Sequence, residues 1–212
     1  MSGLTDNLEP IAERIRQSLS AKDTAREKVL PLCRETIRHC SNAIRAVHRQ
    51  EFDQAKKLLG SARELLTEAE QGIAGYGELA SSGFVRDARK EFAEGSITLA
   101  LVTGKRLPDP EGLGIDAVAY LNGLGEAVGE LRRYLLDSIR RGDLSQGEEL
   151  LAAMDDIYNT LVTIDFPDAI TGGLRRTTDM VRGVLERTRS DLTLTMGQKG
   201  LVDKLKDFSA DK

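Results

Sequence analysis

Apolar residues recur every three to four positions along most of the chain, whereas the strict alternation typical of β-strands is scarce. Such spacing places apolar side chains on one face of an α-helix. Proline and glycine clusters interrupt the pattern and set the expected helix ends. The predicted helices run from near Asp6 or Thr24 to Arg49, Glu51 to Gly72, Gly83 to Thr103, Ile115 to Arg141, from beyond Gly142 to Ile164, from beyond Pro167 to Arg189, and Lys199 to Phe208. The pattern therefore predicts an all-α fold of seven helices in one domain over residues 1–212.

The composition supports this fold class and limits the partners. Of the 212 residues 40% are hydrophobic and only 4% aromatic, which suits helices better than sheets. The net charge of −4 excludes a wholly basic nucleic-acid coat but allows a local basic surface. Apolar runs are short and the N-terminus is acidic, so we expect a cytoplasmic protein without a membrane partner. Cys33 and Cys40 lie on one helix and are expected to be reduced core thiols.

One face of the first predicted helix carries four arginines. They are spaced four, seven and four residues apart and lie within about 60° of one another around the helix. The four positions are Arg34, Arg38, Arg45 and Arg49. Guanidinium groups suit phosphate oxygens, so this arginine stripe is a candidate nucleic-acid contact. The alternative is a solvated helix face balanced by nearby acids such as Glu35.

Carboxylates cluster on the third predicted helix. Asp87, Glu91 and Glu94 follow i, i+4, i+7 spacing and share one face. The helix becomes apolar all round from Ile97, so Glu94 lies where the helix enters the protein interior. A carboxylate in that position needs a partner such as a metal ion.

A second acidic pair, Glu126 and Glu130, lies at i, i+4 on the fourth predicted helix, where like charges repel. Gly123, Gly125 and Gly129 flank the pair, weaken the helix and leave room for another backbone or a ligand. If the two helices face each other, these carboxylates could hold one or two Mg²⁺ or Mn²⁺ ions for hydrolysis of a phosphodiester. The alternative is two unrelated pairs of exposed glutamates.

Several segments, taken in order, resemble the translin family, which comprises translin and its partner TRAX (translin-associated factor X). The resemblance covers roughly residues 24–200. The matching segments are Cys33-Arg34-Glu35, Ala46-Val47-His48-Arg49, Lys90-Glu91-Phe92-Ala93-Glu94, Gly125-Glu126-Ala127-Val128-Gly129-Glu130-Leu131-Arg132-Arg133 and Ser138-Ile139-Arg140-Arg141-Gly142-Asp143-Leu144. The resemblance to the translin family implies an all-α translin-type bundle that assembles as an octameric shell and binds single-stranded RNA and DNA.

Within that family, TRAX-type chains carry a Mg²⁺-dependent endoribonuclease site. Position by position, the resemblance places its acidic residues on Glu91, Glu94, Glu126 and Glu130, and places the arginine stripe on the nucleic-acid-contacting helix. Glu126 replaces an aspartate of the TRAX pattern, which adds one methylene but keeps the ligand chemistry. The compact chain resembles a prokaryotic, archaeal TRAX-like homologue that assembles with itself, as a homo-octamer or another homo-oligomer.

We therefore expect a Mg²⁺- or Mn²⁺-dependent endoribonuclease acting on single-stranded RNA, with the four glutamates as catalytic metal ligands. One alternative is a translin-like protein that binds single-stranded RNA or DNA without cleaving it. The other is an all-α assembly scaffold with no nucleic-acid role. Metal-dependent cleavage separates the first from the second, and salt-sensitive RNA affinity separates the second from the third.

Overall fold

The computed structural model describes residues 3–210, apart from the side chains of Phe208 and Ala210. This part of the chain consists of helices joined by turns and short loops and contains no β-strand. Its α-helices are α1 (Leu8–His48), α2 (Phe52–Gly72), α3 (Gly77–Ala80), α4 (Gly83–Val102), α5 (Pro110–Leu113), α6 (Ala117–Arg140), α7 (Gly147–Val162), α8 (Asp168–Thr171) and α9 (Leu174–Ala210). Six of these are long, and α3, α5 and α8 are single turns. The predicted all-α class is confirmed.

The C-terminal region differs from the prediction. The sequence suggested one helix ending near Arg189 and another starting at Lys199, but α9 runs without a break from Leu174 to Ala210. No proline interrupts the intervening residues. The Thr193 hydroxyl also donates a hydrogen bond to the Arg189 carbonyl at 2.8 Å, a bond that a continuous helix accommodates. The expected sixth and seventh helices are therefore one helix.

The bundle is built in layers around α4. Helix α1 packs against α2 and α4, α4 packs against α6, and α6 packs against α7 and α9. The largest buried side chains lie where these helices meet, among them Phe92, Leu131 and Met154. Cys33 and Cys40 are fully buried and unbridged, as predicted, and burial raises the pKa of the Cys33 thiol to about 11.

Helices α4 and α6 approach each other closely at one glycine. A Cβ atom added at Gly123 would lie 2.6 Å from the Ala93 Cβ and 2.7 Å from the Lys90 carbonyl oxygen. Both distances are shorter than van der Waals contact, and both neighbours are fixed to helix backbone. Glycine at position 123 thus allows a crossing that any larger residue would open.

The two longest helices extend beyond the packed core. Leu8, Ile15 and Leu19 on α1 are exposed, as are Leu201 and Leu205 on α9. These helix ends carry apolar side chains that nothing within residues 3–210 covers. Over the same residues, no helix is both long enough and apolar enough to cross a membrane.

The close approach of α4 and α6 predicts that a larger residue at position 123 lowers the thermal stability of the protein. We expect Gly123→Ala to lower the thermal unfolding midpoint, since the added methyl group must push α6 away from α4, at a cost of about 1–3 kcal/mol. Gly129→Ala is the matched control, because no atom lies within 4 Å of the position of its added Cβ. The control should be neutral or more stable, since alanine favours helix by about 1 kcal/mol. Equal midpoints for the two variants in a calorimetric scan would contradict the close approach.

Candidate metal centre

The crossing at Gly123 brings three of the predicted glutamates together. Glu91 and Glu94 lie one turn apart on α4, and Glu126 lies one turn beyond Gly123 on α6. One carboxylate oxygen from each of the three lies within 4.8 Å of the others. The Glu91–Glu94 pair therefore faces Glu126 of the second pair, across the crossing of α4 and α6. We call Glu91, Glu94 and Glu126 the acidic cluster.

Burial differs among the members of this cluster. Glu94 is buried, with only 8% of its surface exposed, whereas Glu91 and Glu126 are half-buried. Among the described residues, no side chain forms a hydrogen bond or ion pair with Glu91 or Glu94. Glu126 differs, because its Oε1 accepts a hydrogen bond from Lys90 Nζ at 2.7 Å. One ammonium group thus faces three carboxylates.

This charge imbalance shifts the proton affinities. Burial, together with the negative charges of Glu91, Glu126 and Glu130, raises the pKa of Glu94 to about 8. The pKa of Glu91 is also raised, mainly by burial, although Lys90 opposes the shift. Burial alone would lower the pKa of Lys90, but its hydrogen bond to Glu126 and the nearby carboxylates outweigh that and raise it. The cluster favours gaining positive charge, as a proton or as a cation.

Glu130, the fourth predicted residue, is not a member of the acidic cluster. Its Oε2 lies 2.5 Å from Nε2 of His48, which is buried near the end of α1. A carboxylate only accepts hydrogen bonds, so Nε2–H of His48 donates. Arg133, one turn further along α6, is 4.0 Å from the same oxygen.

The sequence reasoning missed two site residues, Lys90 and His48. His48 lies inside one of the segments that carry the family resemblance, but its spacing along α1 indicates no role. Lys90 directly precedes Glu91 but had no assigned role. Each makes its contact to a carboxylate on α6 from a different helix. Spacing along one helix could not reveal these pairs.

All four residues of the arginine stripe are exposed, three of them on α1 and Arg49 directly after its last residue. Arg38 pairs with Glu35 at 2.5 Å, and Arg49 makes two hydrogen bonds to Glu51, at 2.9 and 2.7 Å. The other two differ, since Arg45 reaches the Asn42 amide oxygen at 3.2 Å and Arg34 has no ion-pair partner among residues 3–210. The stripe is therefore accessible but partly neutralised by its neighbours.

The donor set of the acidic cluster suits a hard divalent cation. All its ligand atoms are carboxylate oxygens, which Mg²⁺ and Mn²⁺ prefer. The buried Glu94 carboxylate also lacks a partner among the described residues, and that is costly for a charged group. Glu91, Glu94 and Glu126 would hold the cation, which would offset their mutual repulsion.

Comparison with known proteins agrees with this architecture. No protein-family model matches the chain. An uncharacterized protein of Methanocaldococcus jannaschii is 30% identical over 190 residues, which cover 89% of this chain and 84% of that protein. Two solved structures of AfC3PO, one of them a complex with duplex RNA, are 33% identical and cover 88% of this chain and 97% of theirs. The chain belongs to the C3PO family of translin and TRAX homologues.

Superposition confirms the fold of this C3PO-family chain. The TM-score is 0.80 with the duplex-RNA complex of AfC3PO and 0.78 with its other crystal structure. Apo-NeC3PO, at 18% identity and a TM-score of 0.73, has the same fold. The predicted resemblance to the translin family is thus confirmed over most of the chain.

The raised pKa of Glu94 predicts a pH-dependent stability in the absence of metal ions. Its pKa is about 8 in the folded chain against an ordinary 4.5, so the folded state holds an extra proton between these values. Stability therefore falls as pH rises from about 4.5 to 8 and levels off above that range. Glu94→Gln removes the titrating group.

We expect the thermal midpoint of the unsubstituted protein in EDTA to fall more steeply across this window than that of Glu94→Gln. Near pH 8 the variant should be the more stable of the two. Glu149→Gln, at an exposed position on α7, is the control and should follow the unsubstituted protein. Parallel curves for Glu94→Gln and the unsubstituted protein would show that the Glu94 carboxylate is not destabilised by its surroundings.

Proposed function

We propose that this protein is a divalent-cation-dependent endoribonuclease acting on single-stranded RNA. The observation that carries the proposal is the acidic cluster, whose three carboxylates from two helices lie within 4.8 Å of one another. Family membership supports it, because these positions match the acidic residues of the endoribonuclease site that the TRAX resemblance implies. A bound Mg²⁺ or Mn²⁺ would activate water and stabilise negative charge on the phosphate.

The residues of the chain divide this task. Glu91, Glu94 and Glu126 would hold the cation at the place where α4 and α6 cross. Lys90 lies beside Glu126 and can contact a phosphate oxygen that approaches the cluster. In the reaction, water attacks phosphorus, the bond from phosphorus to one bridging oxygen breaks, and that oxygen takes up a proton.

Glu130 would complete the catalytic set as a fourth metal ligand, with His48 as its positioning residue. The hydrogen bond from His48 limits the orientations of the Glu130 carboxylate. Partners that orient ligands in this way raise metal affinity. This role accounts for a histidine that is buried against a carboxylate of another helix.

The arginine stripe would bind the RNA backbone. Its four guanidinium groups are exposed, and such contacts are electrostatic and largely independent of base sequence. AfC3PO has been crystallised with duplex RNA, so a duplex is a necessary comparison substrate in any assay. The exposed leucines in the N-terminal part of α1 would be covered by further copies of the chain in a homo-oligomer such as an octamer.

A second candidate function is single-strand RNA or DNA binding without cleavage. The observation that favours it is the pairing of Glu126 with Lys90 and of Glu130 with His48. Carboxylates engaged in this way can be structural. Under this alternative the RNA is bound with salt-sensitive affinity, and added metal ions change nothing.

Cleavage of an end-labelled single-stranded RNA separates the two functions. We expect cleavage with Mg²⁺, none with EDTA, and a loss of at least about 100-fold for Glu126→Gln, which removes a ligand charge at nearly constant volume. Glu149→Gln changes the same functional group at an exposed position and should retain full activity. Salt-sensitive binding without cleavage by the unsubstituted protein would establish the second function instead.

The positioning role of His48 is tested by Mn²⁺ binding. We expect His48→Gln to weaken Mn²⁺ binding about tenfold in isothermal titration calorimetry, because Glu130 is then held less firmly. His39→Gln makes the same change elsewhere on α1, at a side chain that forms no ion pair or hydrogen bond with a carboxylate within residues 3–210, and should bind Mn²⁺ normally. Unchanged affinity in a folded His48→Gln protein would show that His48 does not act through Glu130.

A further inference from the structure

A cavity of about 400 Å³ lies beside the acidic cluster. Glu126 belongs to both, because its side chain lines the cavity and its carboxylate is a member of the cluster. The remaining walls come from the first half of α4, the start of α6, the Gly172–Gly173 turn and the start of α9. This volume is within the range of sites that bind small molecules or single groups of larger ligands.

The charges in this cavity are unevenly paired. Lys90 and Glu126 are bonded to each other, which leaves Arg86, Asp87 and Arg176. None of these three side chains forms an ion pair within residues 3–210, and all three are exposed. The cavity therefore presents two unpaired guanidinium groups and one unpaired carboxylate.

A hydrogen-bond network joins α6 to the residues around the Gly172–Gly173 turn in the wall of this cavity. Asn122 is buried on α6, donates to the Thr171 carbonyl at 2.9 Å and accepts from the Thr177 hydroxyl at 2.9 Å. These bonds tie α6 to both sides of the Gly172–Gly173 turn. Arg176 directly precedes Thr177 in the first turn of α9, so the network fixes the backbone that carries it. A prearranged wall lowers the entropy cost of binding.

We propose that this cavity binds a backbone phosphate of the RNA strand next to the linkage that is cleaved. Arg86 and Arg176 would contact that phosphate from two helices, because guanidinium groups donate paired hydrogen bonds to phosphate oxygens. The strand would thereby be directed to Glu126. The inference rests on the proposed function and adds the residues that position the substrate.

The residues that line this cavity also indicate that it does not recognise the RNA bases. The described residues around the cavity include no aromatic side chain on which a base could stack. Recognition there should depend on the phosphate rather than on the base. We therefore expect it to contribute affinity and salt dependence without base preference.

Substitutions of the unpaired arginines and of the unpaired aspartate should change RNA affinity in opposite directions. Binding of a fluorescein-labelled single-stranded RNA is measured by anisotropy in EDTA, where no cleavage occurs. Arg86→Gln and Arg176→Gln should each weaken binding about tenfold, since each removes a charged hydrogen bond. Asp87→Asn should strengthen it, because one negative charge facing the phosphate is removed. A residue with a merely structural role would not produce opposite signs.

The same binding assay includes a control variant outside the cavity. Arg106→Gln removes an exposed arginine beyond the other end of α4 and should leave affinity unchanged. In Mg²⁺, the two cavity variants should raise KM for cleavage and leave kcat within about twofold. Unsubstituted protein that binds and cleaves RNA while the cavity variants match it would overturn this inference alone. If the unsubstituted protein neither binds nor cleaves RNA, the proposed function falls and takes this inference with it.

Discussion

The close crossing of α4 and α6 at Gly123 determines where the charged groups of this protein lie. Without a side chain at that position, the Lys90 carbonyl and the Ala93 methyl group lie against the backbone of α6. One turn further along α6, Glu126 then comes beside Glu91 and Glu94. A wider crossing would separate these carboxylates, so the packing of two backbones sets the geometry of the acidic cluster.

This arrangement opposes stability, because the cluster brings together groups that repel each other. Glu94 is buried and holds a raised pKa, and a single lysine compensates only part of the negative charge. A fold selected for stability alone would place an apolar residue at the buried position. Strained electrostatics concentrated at one place in an otherwise well-packed bundle are typical of functional sites. The physical cost of the cluster is itself an argument for a bound cation.

Much of the fold could be predicted from the sequence. The 3.6-residue period of apolar positions gave the boundaries of α2, α4 and α6 to within about two residues. It failed over α9, since residues 190–198 carry no strong helix stop but also no regular apolar stripe. There, helix continuity depends on backbone hydrogen bonding that no side-chain pattern reports.

The candidate site could be predicted only along each helix. Periodicity showed that Glu91 and Glu94 share a face, and that Glu126 and Glu130 share another. It could not show that the two helices bring Glu126 beside Glu91 and Glu94, which follows from the approach at Gly123. Nor could it show that His48 of α1 forms a hydrogen bond with Glu130. Contacts between helices depend on rotation and crossing angle, and these are properties of the packed bundle.

Anomalous diffraction from crystals grown with Mn²⁺ tests the central claim most directly. The account predicts an anomalous peak about 2 Å from carboxylate oxygens of Glu91, Glu94 and Glu126, at the crossing of α4 and α6. A Mn²⁺ peak found only elsewhere, or no peak at the cluster under saturating Mn²⁺, would contradict a metal centre at this site.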